Sequence, residues 1–345
     1  LQEQVPRISL FNINPFNSDY CQQAYDNKNC YLCMVVEKCE DCMYVSHSNH
    51  LRDCFECSFV HESELCYECL DSNKLYACIN CQSCQNSNDL INCYDCIGCQ
   101  NCAGCYGLRN KQYYIMNIAY NRDEYLEKLK NLELNKYSKY LNSKAYFIEL
   151  AKSLPQRATR NINVENSHGE YLINCKNAFE CFNSFELEDC SYSTWIFNSH
   201  DCMDIYGLGY GQFTYAGLGV EKTNNCAFNT FVSDSSDCFY SDLCFHCMYL
   251  FGCVGLKSKK YCILNKQYKP EQYNELRGKI IEHMKKTPSF GGDSSEWGQF
   301  FPAELSPFAY NETAANYYFP LKREEAASKG LHWKEADKKE YLPQN

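Results

Sequence analysis

The cysteines between Cys21 and Cys105 are the residues with the clearest potential for chemistry. Five of them, from Cys93 to Cys105, follow one another at a constant spacing of three within NCYDCIGCQNCAGC. Two cysteines separated by two residues have a common zinc-ligand spacing, and four thiolates suit a tetrahedral zinc site. The spacing therefore defines two candidate zinc groups. They are Cys54, Cys57, Cys66 and Cys69 in the first, and Cys78, Cys81, Cys93 and Cys96 in the second.

Three other interpretations of these cysteines stay open. The run from Cys93 to Cys105 resembles the ferredoxin iron-sulfur signature, but it keeps two intervening residues throughout and has no proline. Disulfides between cysteines stacked about 4.8 Å apart would lie within the usual range of Cα separations. The third interpretation treats the thiols as small, polarizable core residues. We favour the third, with no cofactor bound, because a structural repeat already demands the spacing.

The repeat has two nested periods. All seventeen cysteines from Cys21 to Cys105 fall at multiples of three, and every third residue from Cys30 to Leu108 is Cys, Val, Ser or Leu. Within that row, Cys30, Cys42 and Cys54 begin a series spaced by twelve. Neither the helical period of 3.6 nor the strand period of 2 explains a period of three. Twelve extended residues give a perimeter of about 40 Å, which leaves an interior only wide enough for slim side chains. The sequence predicts a narrow β-solenoid with about twelve residues per coil.

The repeat occurs twice. Ten further cysteines, from Cys175 to Cys262, all lie one position after a multiple of three. The end of the second repeat aligns with the end of the first at an offset of 148 residues, so that Leu108 matches Leu256 and Asn117 matches Asn265. The predicted fold class is therefore mainly β, with two tandem cysteine-cored solenoids, each followed by a helical cap.

Helix signals set the predicted boundaries. Asn121 with Glu124 three residues later forms a capping-box pattern, a second helix is predicted over 143–154, and Pro270 opens a third helix. A short helix over 323–329 is predicted within an aromatic tail that packs along a solenoid flank. The predicted segments are an N-terminal cap (1–29), solenoid 1 (30–118), a helical cap (119–155), solenoid 2 (156–265), a second helical cap (266–287) and the tail (288–345).

Three sets of outward residues are weaker functional candidates. The histidines could line one outer face, although an exposed polar face is the more usual role. A twelve-spaced acidic and amide column could bind cations, but it is expected rather to hydrogen-bond the backbone at coil corners. Two aromatic strips are expected to pack within the molecule or to dock a partner. These sets are His47, His50 and His61; Asn29, Asp41, Asp53, Asp89 and Asn101; and Tyr31, Phe55 and Tyr67 with Tyr192, Phe228 and Tyr240.

Composition narrows the possible partners and location. The net charge of -10 and the pI near 5.4 argue against binding to a nucleic-acid backbone or to an anionic membrane. No apolar run approaches the roughly 20 residues of a membrane helix, and LQEQVPRISL lacks the pattern of a signal peptide. The odd count of 27 cysteines favours a reducing, cytoplasmic compartment over an extracellular one.

Three segments also resemble a known family. The repeat exit GLRNKQYYIMN, the tail WGQFFPAELSPFAYNETAANYYFP and the segment VPRISL are similar to those of uncharacterised cysteine-rich repeat proteins of candidate-phyla bacteria, some of which carry a CaiB/BaiF-type label. The resemblance covers nearly the whole chain, although longer members carry a zinc-ribbon-like region that this chain lacks. It implies the repeat architecture and brings no activity with it. A twelve-residue repeat does not match the alternating α/β chain of a CoA-transferase.

These observations favour a non-enzymatic structural or binding protein. No HExxH motif or catalytic-triad context accompanies the eight histidines. A rigid rod would present its surface to a protein partner or to its own copies. The alternative is a metal-thiolate protein holding zinc or, less favoured, an iron-sulfur centre.

Overall fold

The computed structural model describes residues 1, 4–8, 10–155, 157–207, 220–221, 232–289 and 295–335. The chain divides into two compact units. The first unit is Ile8–Arg157, and the second unit combines Leu1–Arg7 with Ala158–Asn345. Phe228 of one predicted aromatic strip and Cys226 of the second repeat lie outside the described residues.

The described part of the first unit forms one ten-stranded sheet in chain order. Neighbouring strands from β1 to β9 pair in parallel with partners twelve residues apart, as in Asn12↔Ala24 and Asn88↔Gln100. Short β10 closes the sheet by pairing antiparallel with β9. The strands are β1 (Asn12–Ile13), β2 (Gln22–Tyr25), β3 (Met34–Glu37), β4 (Ser46–Arg52), β5 (Ser58–Glu64), β6 (Leu70–Tyr76), β7 (Gln85–Ile91), β8 (Gln100–Ala103), β9 (Gln112–Ile115) and β10 (Ile118–Ala119).

The chain therefore returns to the same register after each stretch of twelve residues, which we call a rung. Residues twelve apart lie above one another and form a column. The pairing starts at Asn12, inside the segment 1–29 to which the sequence assigned an N-terminal cap. Asn12 itself closes the first rung, because its side-chain amide donates to Cys21 O at 2.7 Å while its Oδ1 accepts from Ala24 N at 3.1 Å.

A left-handed backbone at every third residue explains the period of three. From Asn14 to Asn110, each third residue has a positive φ, with values of 53° at Asn29 and at Asp41. One left-handed residue after two extended ones turns the chain at a corner, and four such corners make one rung. Asn, Asp and Gly tolerate this conformation best, which accounts for their frequency at these positions.

The predicted acidic and amide column does occupy corners, but the side-chain hydrogen bonds of Asn29 and Asp41 differ from those predicted. Asn29, Asp41, Asp53, Asp89 and Asn101 all have positive φ. Instead of bonding the backbone, the Asn29 amide donates to Asp41 Oδ1 at 2.9 Å and accepts from Asn17 at 2.9 Å. From Asn17 through Asn29 to Asp41, the column is thus a ladder of side-chain hydrogen bonds between rungs, because residues of one column face each other directly.

Two helices follow the first repeat. α1 (Arg122–Asn131) starts at the predicted capping box of Asn121 and Glu124, which is confirmed, and it buries Tyr125. α2 (Tyr137–Ser153) begins six residues earlier than the predicted start at Ser143. The sequence between Tyr137 and Ser143 contains no glycine or proline to delay the start, so the helix extends back to Lys136 as its N-cap.

The described part of the second unit repeats the parallel pairing in three smaller sheets. Its strands are β11 (His168–Ile173), β12 (Phe179–Glu188), β13 (Phe197–His200), β14 (Val220–Glu221), β15 (Val232–Ser233), β16 (Ser236–Phe239), β17 (Cys244–Phe245), β18 (Met248–Phe251), β19 (Lys260–Ile263) and β20 (Lys266–Gln267). The first pairings are eleven residues apart, as in Ile162↔Ile173, and become twelve at Gly169↔Cys181. A Cβ at Gly169 would lie 1.8 Å from Cys181 O, so only glycine fits this change of register.

The second unit ends in α3 (Pro270–Lys286), α4 (Ala314–Tyr318) and α5 (Arg323–Ser328). Pro270 opens α3 as predicted, and Tyr273 is buried under the last rungs. The predicted packing of the tail is confirmed at Trp297, whose ring stacks on Phe239 and Phe251. Tyr317 and Phe319 remain exposed. The fold is mainly β, with parallel sheets of short strands around buried cysteines, as predicted at that level.

The left-handed corners make a direct stability prediction at Ala77. Ala77 has φ 52°, and replacing it with glycine removes the penalty that a Cβ carries there, so we expect Ala77→Gly to stabilise the fold by about 1 kcal/mol. The matched reverse change is Gly107→Ala, because φ is 66° and a Cβ at Gly107 meets no atom within 4 Å. We expect it to destabilise by a similar amount. Urea unfolding of both variants measures this, and equal signs for the two changes would contradict it.

Candidate functional site

The inward cysteines hydrogen-bond the backbone of their own and the neighbouring rung. Cys30 Sγ lies 3.4 Å from Lys28 O and 3.3 Å from Cys39 O, so the thiol has acceptors two residues before it and nine residues after it. Sulfur also accepts: Lys259 N donates to Cys247 Sγ at 3.4 Å, and Asn265 N donates to Cys253 Sγ at 3.5 Å. Each of these donors lies twelve residues after its cysteine. The thiols are therefore structural hydrogen-bonding groups of the core.

Inward serines make the same bonds with shorter distances. Ser48 Oγ donates to Ser46 O at 2.8 Å and accepts from Val60 N, twelve residues later, at 3.1 Å. Ser184 repeats this pattern, with its Oγ donating to Phe182 O and accepting from Ile196 N. A γ-heteroatom at an inward position thus satisfies a backbone N–H of the next rung. This requirement, together with the narrow interior, explains why cysteine and serine dominate the row.

The first predicted zinc group is brought together. The thiols of Cys54, Cys57, Cys66 and Cys69 lie close together, and each of them shifts the pKa of two of the others. In the second predicted group, Cys93 is close to both Cys81 and Cys96, and Cys84, which was not predicted, is also close to both Cys81 and Cys96. Twelve residues after Cys78 lies Leu90, whereas twelve residues after Cys84 lies Cys96, so Cys84 and not Cys78 has a cysteine on the next rung.

The thiols of the first candidate group shift in opposite directions, because contacts with neighbouring thiols lower the pKa of Cys54 and Cys69 and raise the pKa of Cys57 and Cys66. In the second unit, burial favours the protonated form. Burial raises the pKa of Cys181 to about 11 and that of Cys253 to about 11. Metal ligation requires the thiolate. Across the described ranges, no cluster of three or more His, Cys, Asp or Glu side chains is arranged to hold a metal ion. All 26 described cysteines are buried thiols. The zinc sites stay a prediction.

The three candidate histidines lie in different environments. His47 is buried and stacks on Phe59 with 4.7 Å between ring centroids, and burial lowers its pKa to about 4. His61 shares a hydrogen bond of 3.0 Å with Asn49 Oδ1, and burial followed by the nearby His50 lowers its pKa to about 4. Of the three, only His50 is exposed. The interpretation as one exposed polar face therefore fits His50 and fails for His47, because the Phe59 ring covers that imidazole.

Helix α2 covers one face of the later rungs of the first unit. Tyr140 donates its hydroxyl proton to Glu68, Lys144 Nζ lies 2.7 Å from Glu68 Oε2, and Asn92 donates to Ser143 Oγ at 2.9 Å. Tyr140 and Phe147 are the buried residues of the helix. Glu68 and Asn92 lie in the same column, so α2 packs along the stack of rungs.

The same face is uncovered on the earlier rungs, and it is apolar there. The column that contains Glu68 includes Tyr20, Leu32 and Tyr44 on earlier rungs. Their backbone N–H groups bond the preceding rung in the same way, as in Tyr44 N to Tyr31 O and Leu32 N to Asp19 O, so these residues share one register. Side chains of this column and of the neighbouring columns contact one another at the surface. The ring centroid of Tyr31 lies 5.7 Å from that of Tyr20 and 6.0 Å from that of Tyr44. We call this set the apolar patch. Its members, each between 36% and 65% exposed, are Tyr20, Tyr31, Leu32, Met34, Met43, Tyr44 and Phe55.

Sequence reasoning found only part of this surface. Tyr31 and Phe55 of the predicted strip are exposed, whereas Tyr67 is half-buried, beside Tyr137 of α2. Tyr192 of the second strip is exposed, but Tyr240 packs on Trp297. The prediction followed single aromatic columns and so missed the adjoining residues. Reading neighbouring columns together, with aliphatic residues included, would have found them.

Comparisons with known proteins do not assign a family. No protein-family model matches the chain, and no curated protein matches it. A solved structure described as "putative acetyltransferase from Desulfovibrio desulfuricans G20" aligns with 81% of this chain and 75% of its own chain. Its sequence identity is 8% and its TM-score is 0.14, which is too low to support an argument about fold or activity. Within the described residues, no helix has both the length and the apolar composition to cross a bilayer.

The double hydrogen bond of inward serines predicts the effect of replacing Ser72. Its buried Oγ donates to Leu70 O at 2.8 Å and accepts from Cys84 N at 3.1 Å. Ser72→Ala leaves that N–H without this acceptor, so we expect a loss of about 1–3 kcal/mol in unfolding free energy. Ser72→Cys keeps a γ-heteroatom and should lose less.

Ser58→Ala is the matched control, because Ser58 faces outward and bonds the Ser46 hydroxyl at 2.8 Å. We expect it to change stability by less than about 0.5 kcal/mol. Denaturant unfolding of the three variants measures the series. Equal losses for Ser72→Ala and Ser72→Cys would show that the heteroatom does not stabilise the rung.

Proposed function

We propose that the chain consists of two tandem, narrow β-solenoids with twelve-residue coils and acts as a non-enzymatic binding scaffold. In this proposal, the apolar patch docks a basic amphipathic helix of a protein partner. One observation supports this proposal, namely that a single face runs along the rungs of the first unit. Helix α2 covers this face on the later rungs, and the apolar patch continues the face on the earlier rungs. A contiguous exposed apolar surface of this kind is typical of an interaction site.

The contacts of α2 indicate what kind of helix suits the face. Tyr140 and Phe147 are buried at a spacing of seven, with Ser143 and Lys144 between them making polar contacts. This is the anchor spacing of a helix in a groove. α2 thus serves as an example, within this chain, of the occupant that the uncovered rungs would take.

The charges around the apolar patch favour a basic occupant. Asp41 and Asp53 lie at corners two residues before Met43 and Phe55. Glu56 lies one rung after Tyr44 in the same column. Glu68, one rung further, already pairs with Lys144 of α2. Lysines on a docking helix would find equivalent carboxylates at the patch. Complementary charges of this kind add specificity and speed association.

A rigid backbone also supports binding. The patch residues sit on rungs whose N–H and C=O groups are bonded to the rungs before and after, as in Tyr31 N to Cys42 O at 3.0 Å. A preformed surface loses little conformational entropy when a partner binds. The side chains of the patch are therefore presented on a fixed frame.

A peptide with the α2 sequence tests this proposal. The labelled peptide 136–154, KYSKYLNSKAYFIELAKSL, is titrated with the full chain and followed by fluorescence anisotropy. We expect saturable binding that weakens as salt screens the lysines. The double change Met43→Lys and Tyr44→Lys should weaken binding at least about tenfold, which corresponds to about 1.4 kcal/mol.

The matched control is Met203→Lys with Tyr192→Lys in the second unit. Met203 and Tyr192 are 39% and 55% exposed, close to the 40% and 54% of Met43 and Tyr44. This control should bind the peptide as the unchanged chain does. Equal binding by the patch variant, or no binding by the unchanged chain, would refute the docking role.

The metal-thiolate function is the second candidate, because the thiols of Cys54, Cys57, Cys66 and Cys69 are mutual neighbours. Against it stand the hydrogen bonds that these thiols already make to the backbone, such as Cys54 Sγ to Arg52 O at 3.3 Å. A bound ion would replace them and would need the raised pKa values of Cys57 and Cys66 to fall.

Elemental analysis of the dialysed protein separates the two candidates. We expect zinc and iron well below one atom per chain, and no change when Cys54→Ser and Cys66→Ser are combined. Two or more metal atoms per chain in the unchanged protein, lost in the double variant, would favour the metal-thiolate function over the scaffold.

A further inference from the structure

A buried carboxylate in the second unit pairs with an arginine from far away in the sequence. Asp242 has a side chain only 3% exposed, and its Oδ2 lies 2.5 Å from Arg7 Nη1. The two residues are 235 positions apart. A buried carboxylate that loses its cation is strongly destabilising. Segment Leu1–Arg7 therefore contributes an anchoring charge to a unit whose remaining residues start at Ala158.

The surroundings of Asp242 fit the segment Val5–Arg7, which we call the strap. Gly255 has φ 68°, and a Cβ there would lie 2.8 Å from Val5 Cγ1, so the missing side chain leaves room for the valine. The Arg7 guanidinium also lies 5.9 Å from the centre of the Phe308 ring, within range of a cation–π contact. Asp242, Gly255 and Phe308 together form what we call the strap site.

The first unit has a related arrangement. Asp95 is buried, and its carboxylate accepts two hydrogen bonds from Arg109 Nη2 at 2.9 Å. Arg157 Nε lies 3.2 Å from the same carboxylate. Arg157 precedes the pairing that starts the second repeat at Ile162, as Arg7 precedes the pairing that starts the first repeat at Asn12. At the offset of 148, Asp95 and Asp242 fall one position apart. In each unit, a buried aspartate near the repeat exit holds an arginine from a segment that leads into a repeat.

We propose that the strap site accepts the Val-Pro-Arg strap of a second copy of this chain, so that two copies exchange straps. The strap is covalently continuous with Ile8–Arg157, while its side-chain contacts are to the strap site. Exchange reproduces the same ion pair, the same valine contact and the same ring contact, so it changes few interactions. This is the low-cost route by which proteins dimerise through swapping of an identical segment. The proposal is independent of the apolar patch.

Reversal of the charges tests the exchange. Arg7→Glu places two carboxylates at the strap site, and Asp242→Arg places two guanidinium groups there, so neither variant can dock its strap within one chain or between identical copies. When the two are mixed in equal amounts, every strap site meets an opposite charge, but only on the other copy. We expect native mass spectrometry to show a mixed dimer of the two variants and a large loss of dimer for each alone.

The combined variant Arg7→Glu with Asp242→Arg controls for folding. It restores opposite charges within one chain, so it should fold and should dimerise like the unchanged protein as concentration is raised. Gly255→Val provides a charge-free check, because its side chain would occupy the space of Val5 and should reduce the dimer. If the combined variant folds while the mixed variants stay monomeric, the strap docks only within its own chain and the proposal is overturned.

Discussion

The bond between an inward γ-heteroatom and the N–H group twelve residues later is the interaction on which the structure depends. Buried backbone N–H groups need a partner, and in these rungs the N–H of an inward residue points along the stack at the side chain below it. Ser48 with Val60, Asn12 with Ala24 and Cys253 with Asn265 are three chemical versions of this one bond. The side chain there must be small enough for the interior, and Cys, Ser and Asn also supply an acceptor, whereas inward Val and Leu residues fill the space without one.

This constraint divides the chain into three kinds of position. Inward residues fill the interior and, where they are Cys, Ser or Asn, supply the heteroatom. The residue before each inward residue supplies the left-handed corner, and the third position faces outward in an extended conformation. Left-handed corners carry a conformational cost for most residues. That cost recurs at every corner occupied by a residue such as Val35 or Leu65, which have φ of 56° and 55°. The regular hydrogen bonds along the stack therefore have to offset a strain that is distributed over the whole repeat.

The sequence predicts much of this fold, because the period of three and the series of twelve leave few alternatives for where the cysteines lie. The capping box at Asn121 and the opening of α3 at Pro270 are equally local signals, and the structure has both. The eleven-residue register ahead of Gly169 was not predicted, since it depends on one glycine and on the approach of Cys181 O. The ion pair between Arg7 and Asp242 was not predicted either, because its residues are 235 positions apart and no local sequence pattern indicates such a pair.

The division of positions also explains where function can reside. Because the inward residues fill the core, the outward and corner side chains of each rung are free to vary with what binding requires. A residue type that recurs every twelve positions becomes a continuous column, so a modest change in sequence creates an extended surface. Tyr20, Leu32 and Tyr44 form such a column where no helix covers them, and Glu68 and Asn92 continue it where α2 does. The same face therefore binds a helix of its own chain at one end, and in the proposed function it binds a helix of another protein at the other end.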